Sequence, residues 1–95
     1  MKAIVLIKVS MGEVNPVVKD LRRLRSVAEA YPAFGPYDVI VVIHVDSLQR
    51  LGKIVASEIQ PIPGVVQTVT CLAVEAELPQ VEPQEPVLAG VFGKN

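Results

Sequence analysis

The sequence predicts an α+β fold in which four strands and two helices follow the order β-α-β-β-α-β. Its 95 residues, 51% hydrophobic and 20% charged, suffice for one core and not for two. Eighteen Val and seven Ile favour strands because they are β-branched. Short apolar runs alternate with segments of helical periodicity. This order predicts a ferredoxin-like sandwich, with two helices on one face of an antiparallel four-stranded sheet.

The first half of the chain predicts two strands around one helix. Ala3–Val9 is an apolar run that ends at a turn. Asn15 and Pro16 fit a helix cap and first turn. The helix they begin carries an apolar stripe at Val14, Val17, Val18, Leu21 and Leu24. Val27–Phe34 is a weaker strand, and its Pro32 indicates a sheet edge or a bulge.

The second half predicts a strand, a helix and a last strand. Tyr37–Val45 is the strongest strand pattern in the chain. Asp46 or Ser47 then caps a helix that ends before Pro61. The expected buried stripe of this helix is Leu48, Leu51, Ile54, Val55 and Ile59. The fourth strand follows over 65–77, with Thr68 and Thr70 on one face and Cys71 on the other.

These elements place a folded domain at residues 1–77 and a proline-rich C-terminal tail at 78–95. Prolines alternate with Gln and Glu at the start of the tail, which is typical of an extended, solvated segment. Val87–Phe92 is apolar again. It is either a frayed terminus or a docking strand for this or a neighbouring subunit.

Strands one and three are apolar at consecutive positions, over Ile4–Ile7 and Val39–Ile43. An antiparallel sheet with one solvated face shows alternation instead. Because both helices lie on one face, we expect another subunit to cover the other, which makes the protein a homodimer.

The sequence contains little catalytic chemistry. The single histidine, His44, lies within an apolar strand, where a core or interface position is the commoner role, and Cys71 is expected to be a small core residue. No paired carboxylates, phosphate-binding loop or metal-ligand spacing are present. The net charge of −1 disfavours direct nucleic-acid binding. We therefore expect no enzyme activity, catalytic residue, metal or cofactor.

The location of the protein follows from equally simple features. One cysteine excludes an intrachain disulfide, and neither a signal sequence nor a long apolar span is present. These features predict a cytoplasmic protein without membrane contact.

Two turns are candidate parts of a binding site. In Phe34–Asp38, Gly35 permits a positive φ, and Tyr37 and Asp38 offer a hydroxyl and a carboxylate. Ile62-Pro63-Gly64-Val65 precedes the hydroxyls of Thr68 and Thr70. A free amino acid needs an acceptor for its ammonium and donors for its carboxylate, which these groups supply.

Together these segments resemble the effector domain of the Lrp/AsnC transcription regulators, known as RAM for regulation of amino-acid metabolism. The resemblance spans residues 3–77 and rests on the Ala3–Ile7 and Val27–Tyr31 strands, the Gly35-Pro36-Tyr37-Asp38 turn, and the Ile62–Val65 turn leading to Thr68 and Thr70. It implies an effector site at Gly35, Tyr37, Asp38, Thr68 and Thr70. It also implies sheet-to-sheet dimers that assemble into rings of dimers, with amino-acid effectors bound between them.

The chain departs from this family in two respects. Its first strand begins at residue 3, so a DNA-binding helix-turn-helix is not expected, and the domain would act alone or with full-length Lrp/AsnC regulators. Pro36 replaces an acidic residue or Asn, and proline lacks both a backbone N–H and a side-chain acceptor. Two alternatives remain: a small dimeric enzyme of the cofactor-free monooxygenase type, for which only His44 could serve, and a purely structural assembly module.

Overall fold

The computed structural model describes residues 1–74 and confirms the ferredoxin-like β-α-β-β-α-β order. The strands are β1 (Lys2–Val9), β2 (Val27–Pro32), β3 (Val39–His44) and β4 (Val65–Leu72), and the helices are α1 (Val14–Arg22) and α2 (Leu48–Ile54). Strand β4 ends at Leu72, before Ala73 and Val74, and residues 75–77 of the predicted strand lie outside the described residues. The proposed tail, 78–95, lies outside the described residues.

The four strands form one antiparallel sheet in the order β2-β3-β1-β4. β1 is therefore central, with Ile7 opposite Val39 on one side and Thr68 on the other. Because residues alternate between faces along a strand, this register assigns every side chain to one of two surfaces. We call them the helix face, which α1 and α2 cover, and the open face.

The core lies between the helices and the helix face. Ala3, Val5 and Ile7 of β1 are fully buried, as are Val39 and Val41 of β3. From α1 the core receives Val17, Val18 and Leu21 of the expected stripe, with Val14 packed at its margin. Leu24, predicted within this helix, lies two residues beyond its end at Arg22 but still packs against the core. Apolar burial of this kind is the main stabilising contribution to the fold.

The helix starts differ in part from the predicted caps. α1 begins at Val14 after Glu13, so Asn15 and Pro16 lie inside its first turn and Asn15 is not the cap. Pro16 is tolerated there because first-turn N–H groups have no partner within the helix. For α2 the cap is Ser47, whose Oγ accepts from the Arg50 N–H at 3.1 Å. Asp46 is not the capping residue.

The second helix continues beyond Ile54 as a π-helical segment, Val55–Ile59. The Gln60 N–H donates to the Val55 carbonyl, five residues back, at 2.9 Å. Of the predicted buried stripe, Leu51, Ile54, Val55 and Ile59 are buried as expected, but Leu48, the first residue of α2, is 63% exposed. Ser26 Oγ donates to Glu58 Oε1 at 2.7 Å and ties the segment to the loop before β2.

The open face has an apolar centre and a polar margin. Pairing places Ile4 opposite Val42 and Leu6 opposite Ile40. Of these four residues, only Val42 is buried. The margin holds His44, opposite Lys2, and Cys71, opposite Ile4, and both are exposed. The prediction that Cys71 is a core residue is therefore wrong. For His44 the sequence allowed a core or an interface position, and its exposure excludes the core.

The turn before β4 packs directly against α1. Gly64 has a φ of +99°, and its carbonyl accepts from the Ser10 N–H at 2.8 Å. A Cβ at this position would lie 2.9 Å from Cγ2 of Val17 and 3.0 Å from Cβ of Glu13. Only glycine satisfies both the backbone conformation and this close contact.

We expect Gly64→Ala to lower the free energy of unfolding by about 1–3 kcal/mol, since it combines left-handed strain with a clash in the core. Gly52→Ala is the matched control: it lies in α2 with nothing within 4 Å of a built Cβ. There, alanine should be neutral or stabilising by up to about 1 kcal/mol. Urea unfolding of both variants measures the difference, and equal stability would contradict this role of Gly64.

Candidate functional site

The turn between β2 and β3 is fixed to the end of β1 by Asp38. Its Oδ2 accepts from the Val9 N–H at 2.8 Å. Its own N–H donates to the Ile7 carbonyl, and its carbonyl accepts from the Ala33 N–H, each at 2.8 Å. The β1–β3 register ends at Ile7 and Val39. The carboxylate therefore extends the ladder by one bond where the backbone has turned away, and a bond to a charged acceptor is among the stronger kinds.

The tip of this turn projects into solvent. Gly35 has a φ of +138°, a conformation that favours glycine. Phe34 beside it is fully exposed, and Tyr37 is half-buried. Phe34 is therefore an exposed apolar side chain at the tip of the turn.

A cavity of about 430 Å³ lies beneath the turn, next to the start of α1. Its lining is largely apolar, with the Asp38 carboxylate as the charged group: Val14, Pro32, Ala33, Phe34 and Asp38. The carboxylate already accepts one backbone hydrogen bond but, as an ion, has further acceptor positions. The cavity can therefore take a small polar group or a short apolar side chain.

The two threonines share one face of β4, as their spacing predicted, and the pairing with Val5 and Ile7 shows that it is the helix face. Thr68 Oγ1 accepts from Gln60 Nε2 at 3.1 Å, which links the strand to the end of the π-helical segment. Thr70 lies in a groove of about 400 Å³ between α2 and β4. The groove is mainly apolar: Leu48, Leu51, Gly52, Val55, Ala56, Gln60, Thr70 and Leu72. The Thr70 hydroxyl can orient a ligand in this groove, while the apolar side chains contact its apolar part.

Within one chain, the structure brings the expected site residues together as two separate groups. Gly35, Tyr37 and Asp38 share one turn, and Thr68 and Thr70 share one face of β4, but β1 runs between β3 and β4. The cavity at Asp38 and the groove at Thr70 have no lining residue in common. Within one chain the two groups therefore line separate spaces.

Sequence reasoning missed the partners that surround these residues. Gln60 was not expected near a site, because helical periodicity gave no sign of the π-helical segment that precedes it, and Leu48 was expected to be buried. Phe34 was noted only as part of the turn. The one available signal was Pro61, which marks the end of the helix without revealing how its last turn widens.

Metal and membrane chemistry find no support in the part of the chain that the structure describes. No group of three or more His, Cys, Asp or Glu side chains there could hold a metal ion. Neither helix of residues 1–74 has the length and apolar character needed to cross a bilayer.

Comparison with known families identifies the domain. The family model for the Lrp/AsnC ligand binding domain matches residues 2–82. The chain belongs to this family. A comparison with curated proteins finds no match.

Solved structures share the fold of this chain. The protein TTHA0845 from Thermus thermophilus is 31% identical, with a TM-score of 0.75 over 81% of this chain and 96% of that one. E. coli AsnC is 20% identical with a TM-score of 0.74, over 86% of this chain and 56% of AsnC. A transcriptional regulator of Neisseria meningitidis, NMB0573, was solved as its L-Met complex. It is 11% identical with a TM-score of 0.68, over 90% of this chain and 58% of that one. The last two likenesses concern the fold alone.

The contacts of Asp38 lead to a stability prediction. Asp38→Ala leaves the partly buried Val9 N–H without its acceptor, so we expect a loss of about 1–3 kcal/mol in the free energy of unfolding. Asp20→Ala is the control, because Asp20 makes only an exposed 3.7 Å ion pair with Arg23 and should change stability by less than about 0.5 kcal/mol. Denaturant unfolding compares them. An Asp38→Ala protein as stable as the control would contradict the assigned bond.

Proposed function

We propose that this Lrp/AsnC domain is an amino-acid-responsive, oligomeric regulatory domain that acts in transcriptional or metabolic regulation. The observation that carries the proposal is the family match over residues 2–82. The fold class is that of a ligand-binding module, and the candidate site is built from hydrogen-bonding groups rather than from a catalytic cluster. Regulation by binding is therefore favoured over catalysis, and we propose that the domain is not an enzyme.

The proposed effector is a free amino acid bound between two dimers. The Gly35, Tyr37 and Asp38 turn would come from one dimer, and Thr68 and Thr70 from its neighbour. Support comes from the separation of these two groups within one chain and from the neighbouring structure solved with L-Met. A zwitterion also matches a site that combines a carboxylate with hydroxyl groups.

In this arrangement Asp38 orients the turn through its bond to Val9 and presents its remaining acceptor positions to the ammonium. The Tyr37 and Thr70 hydroxyls, with backbone N–H groups, bind the carboxylate or the side chain. Thr68 acts with Gln60, whose amide holds its hydroxyl. The apolar walls beside Thr70 favour an effector with an apolar side chain.

The proposed dimer forms through the open face, and dimers then assemble into a ring. The apolar centre formed by Ile4, Leu6, Ile40 and Val42 is the physical reason, since a sheet face of this kind is unfavourable in water. Co-assembly with full-length Lrp/AsnC regulators would connect the domain to transcription. With a net charge of −1, direct DNA contact is not part of the proposal, and the proposed location is the cytoplasm.

We expect the parent protein to form at least a dimer of its 10.2 kDa chain at micromolar concentration. Leu6→Glu should convert it to a monomer, because the carboxylate would be buried without a partner at the centre of the interface. Gln67→Glu is the control, since Gln67 lies on the same face opposite Lys8 at the margin and is exposed. Light scattering after size exclusion measures the masses; a monomeric parent, or Leu6→Glu with the parent's mass, would contradict the interface.

The effector site leads to a binding prediction. For an amino acid that binds the parent, Thr70→Val should weaken the affinity about tenfold to a hundredfold, because a hydrogen bond to a charged ligand group contributes about 1.5–3 kcal/mol. Arg23→Ala should leave it unchanged, since Arg23 lies on the exposed side of α1. Calorimetry on the three proteins gives the comparison, and equal affinities for Thr70→Val and the parent would move the site elsewhere.

A further inference from the structure

The two edges of the sheet differ in how they resist pairing with another strand. β2 carries Glu29, a bulge between Val27 and Glu29, and Pro32. Charges, bulges and prolines are the devices by which proteins block edge strands. β4 has eight residues, VVQTVTCL, with no charge and no proline. One edge is therefore protected and the other is suited to accept a strand.

The unpaired groups of β4 can be assigned from its pairing with β1. The Ala73 N–H donates to the Lys2 carbonyl at 2.9 Å, which sets the alternation of the ladder. Backbone groups two residues apart point the same way. The N–H and C=O groups of Thr68, Thr70 and Leu72 therefore point outward. Among residues 1–74, β1 is the only strand beside β4.

An apolar surface follows the same edge. The groove between α2 and β4 is walled by Leu51 and Val55, and Leu48 and Leu72 at its margin are 63% and 40% exposed. Val66 of β4 is 65% exposed. A strand added to β4 would bring side chains against this groove on one face and extend the open face on the other.

We propose that the chain's own segment 87–92 pairs with the outer edge of β4 as a fifth strand. Its sequence, VLAGVF, is apolar throughout and contains neither charge nor proline. A strand that is apolar at successive positions suits a place where both faces are covered. That is the place beside β4, between the groove and the proposed dimer interface. The segment therefore matches the edge of β4 in two respects: it has backbone N–H and C=O groups to pair with those of β4, and its side chains are apolar like the surface along that edge.

The connection permits this pairing within one chain. Residues 73–86 can span up to ~45 Å at about 3.3 Å per residue, whereas β4 is only ~26 Å long. The segment can therefore reach any part of the edge, and a short tether gives it an effective concentration near the millimolar range. Pairing uses backbone groups in the plane of the sheet, so the Thr70 hydroxyl stays on the helix face. The added strand would border the groove that the proposed effector site also uses, so the pairing is tested here without any ligand.

Residue-resolved hydrogen–deuterium exchange of the full chain, followed by NMR, tests the proposal without any ligand. In the parent, we expect the outward amides of Thr68, Thr70 and Leu72 to be protected. The double variant Val87→Asp/Val91→Asp should speed their exchange about tenfold or more. The inward amides of Val69 and Cys71 should change little, because β1 still pairs with them.

Val81→Asp is the matched control, since it places the same substitution in the tail outside the proposed strand, and it should keep the parent's exchange. Outward amides that exchange freely in the parent, or that stay protected in the double variant, would overturn the proposal. A mixture of the isotope-labelled double variant with the unlabelled parent tests whether segment 87–92 of one chain can pair with β4 of another. Protection restored in the labelled chains would mean that a second copy supplies the strand, which overturns pairing within one chain.

Discussion

The open face of the sheet is the constraint on which the rest of this protein depends. Alternation sends Val5 and Ile7 of β1 to the helices and leaves Ile4 and Leu6 on the opposite surface. Both helices pack on one face because each crossover between neighbouring elements returns to the same side. Among residues 1–74 no element covers the second face. A second copy is the proposed cover. The proposed effector site, whose two groups of residues line separate spaces within one chain, would be completed by further assembly of dimers.

Much of the fold could be predicted because it follows from local patterns. β-branched runs marked the strands, and the apolar stripe of α1 placed Val17, Val18 and Leu21 in the core. Pro32 correctly indicated an edge strand. The errors occurred where tertiary contacts decide the outcome. Leu48, at the first position of α2, is exposed instead of buried, and Cys71 lies on the open face because the register with Ile4 assigns it there.

The candidate site was less predictable than the fold. Motif spacing identified the Gly35–Asp38 turn and the pair Thr68 and Thr70, but it could not give their partners. The bond from Val9 to Asp38 joins residues far apart in sequence, and Gln60 contacts Thr68 from the end of a π-helical segment that the sequence pattern did not reveal. The polar residues in the sequence therefore indicated which side chains belong to the candidate site. The orientation of these side chains depends on strand register and helix geometry, which the sequence pattern did not show. The tail had no such pattern beyond its apolar run, and its proposed position rests on the unprotected edge of β4.

A thermal-shift screen of the full chain against the twenty amino acids tests the central claim most directly. A ligand that binds only the native state raises the unfolding temperature as its concentration exceeds the dissociation constant. The account predicts that at least one amino acid with an apolar side chain raises it in a saturable manner at millimolar concentration. Pro36→Glu, which introduces an acidic residue of the kind typical of the family at this position, should strengthen or restore such binding. No shift with any amino acid, in either the parent or Pro36→Glu, would contradict amino-acid sensing by this domain.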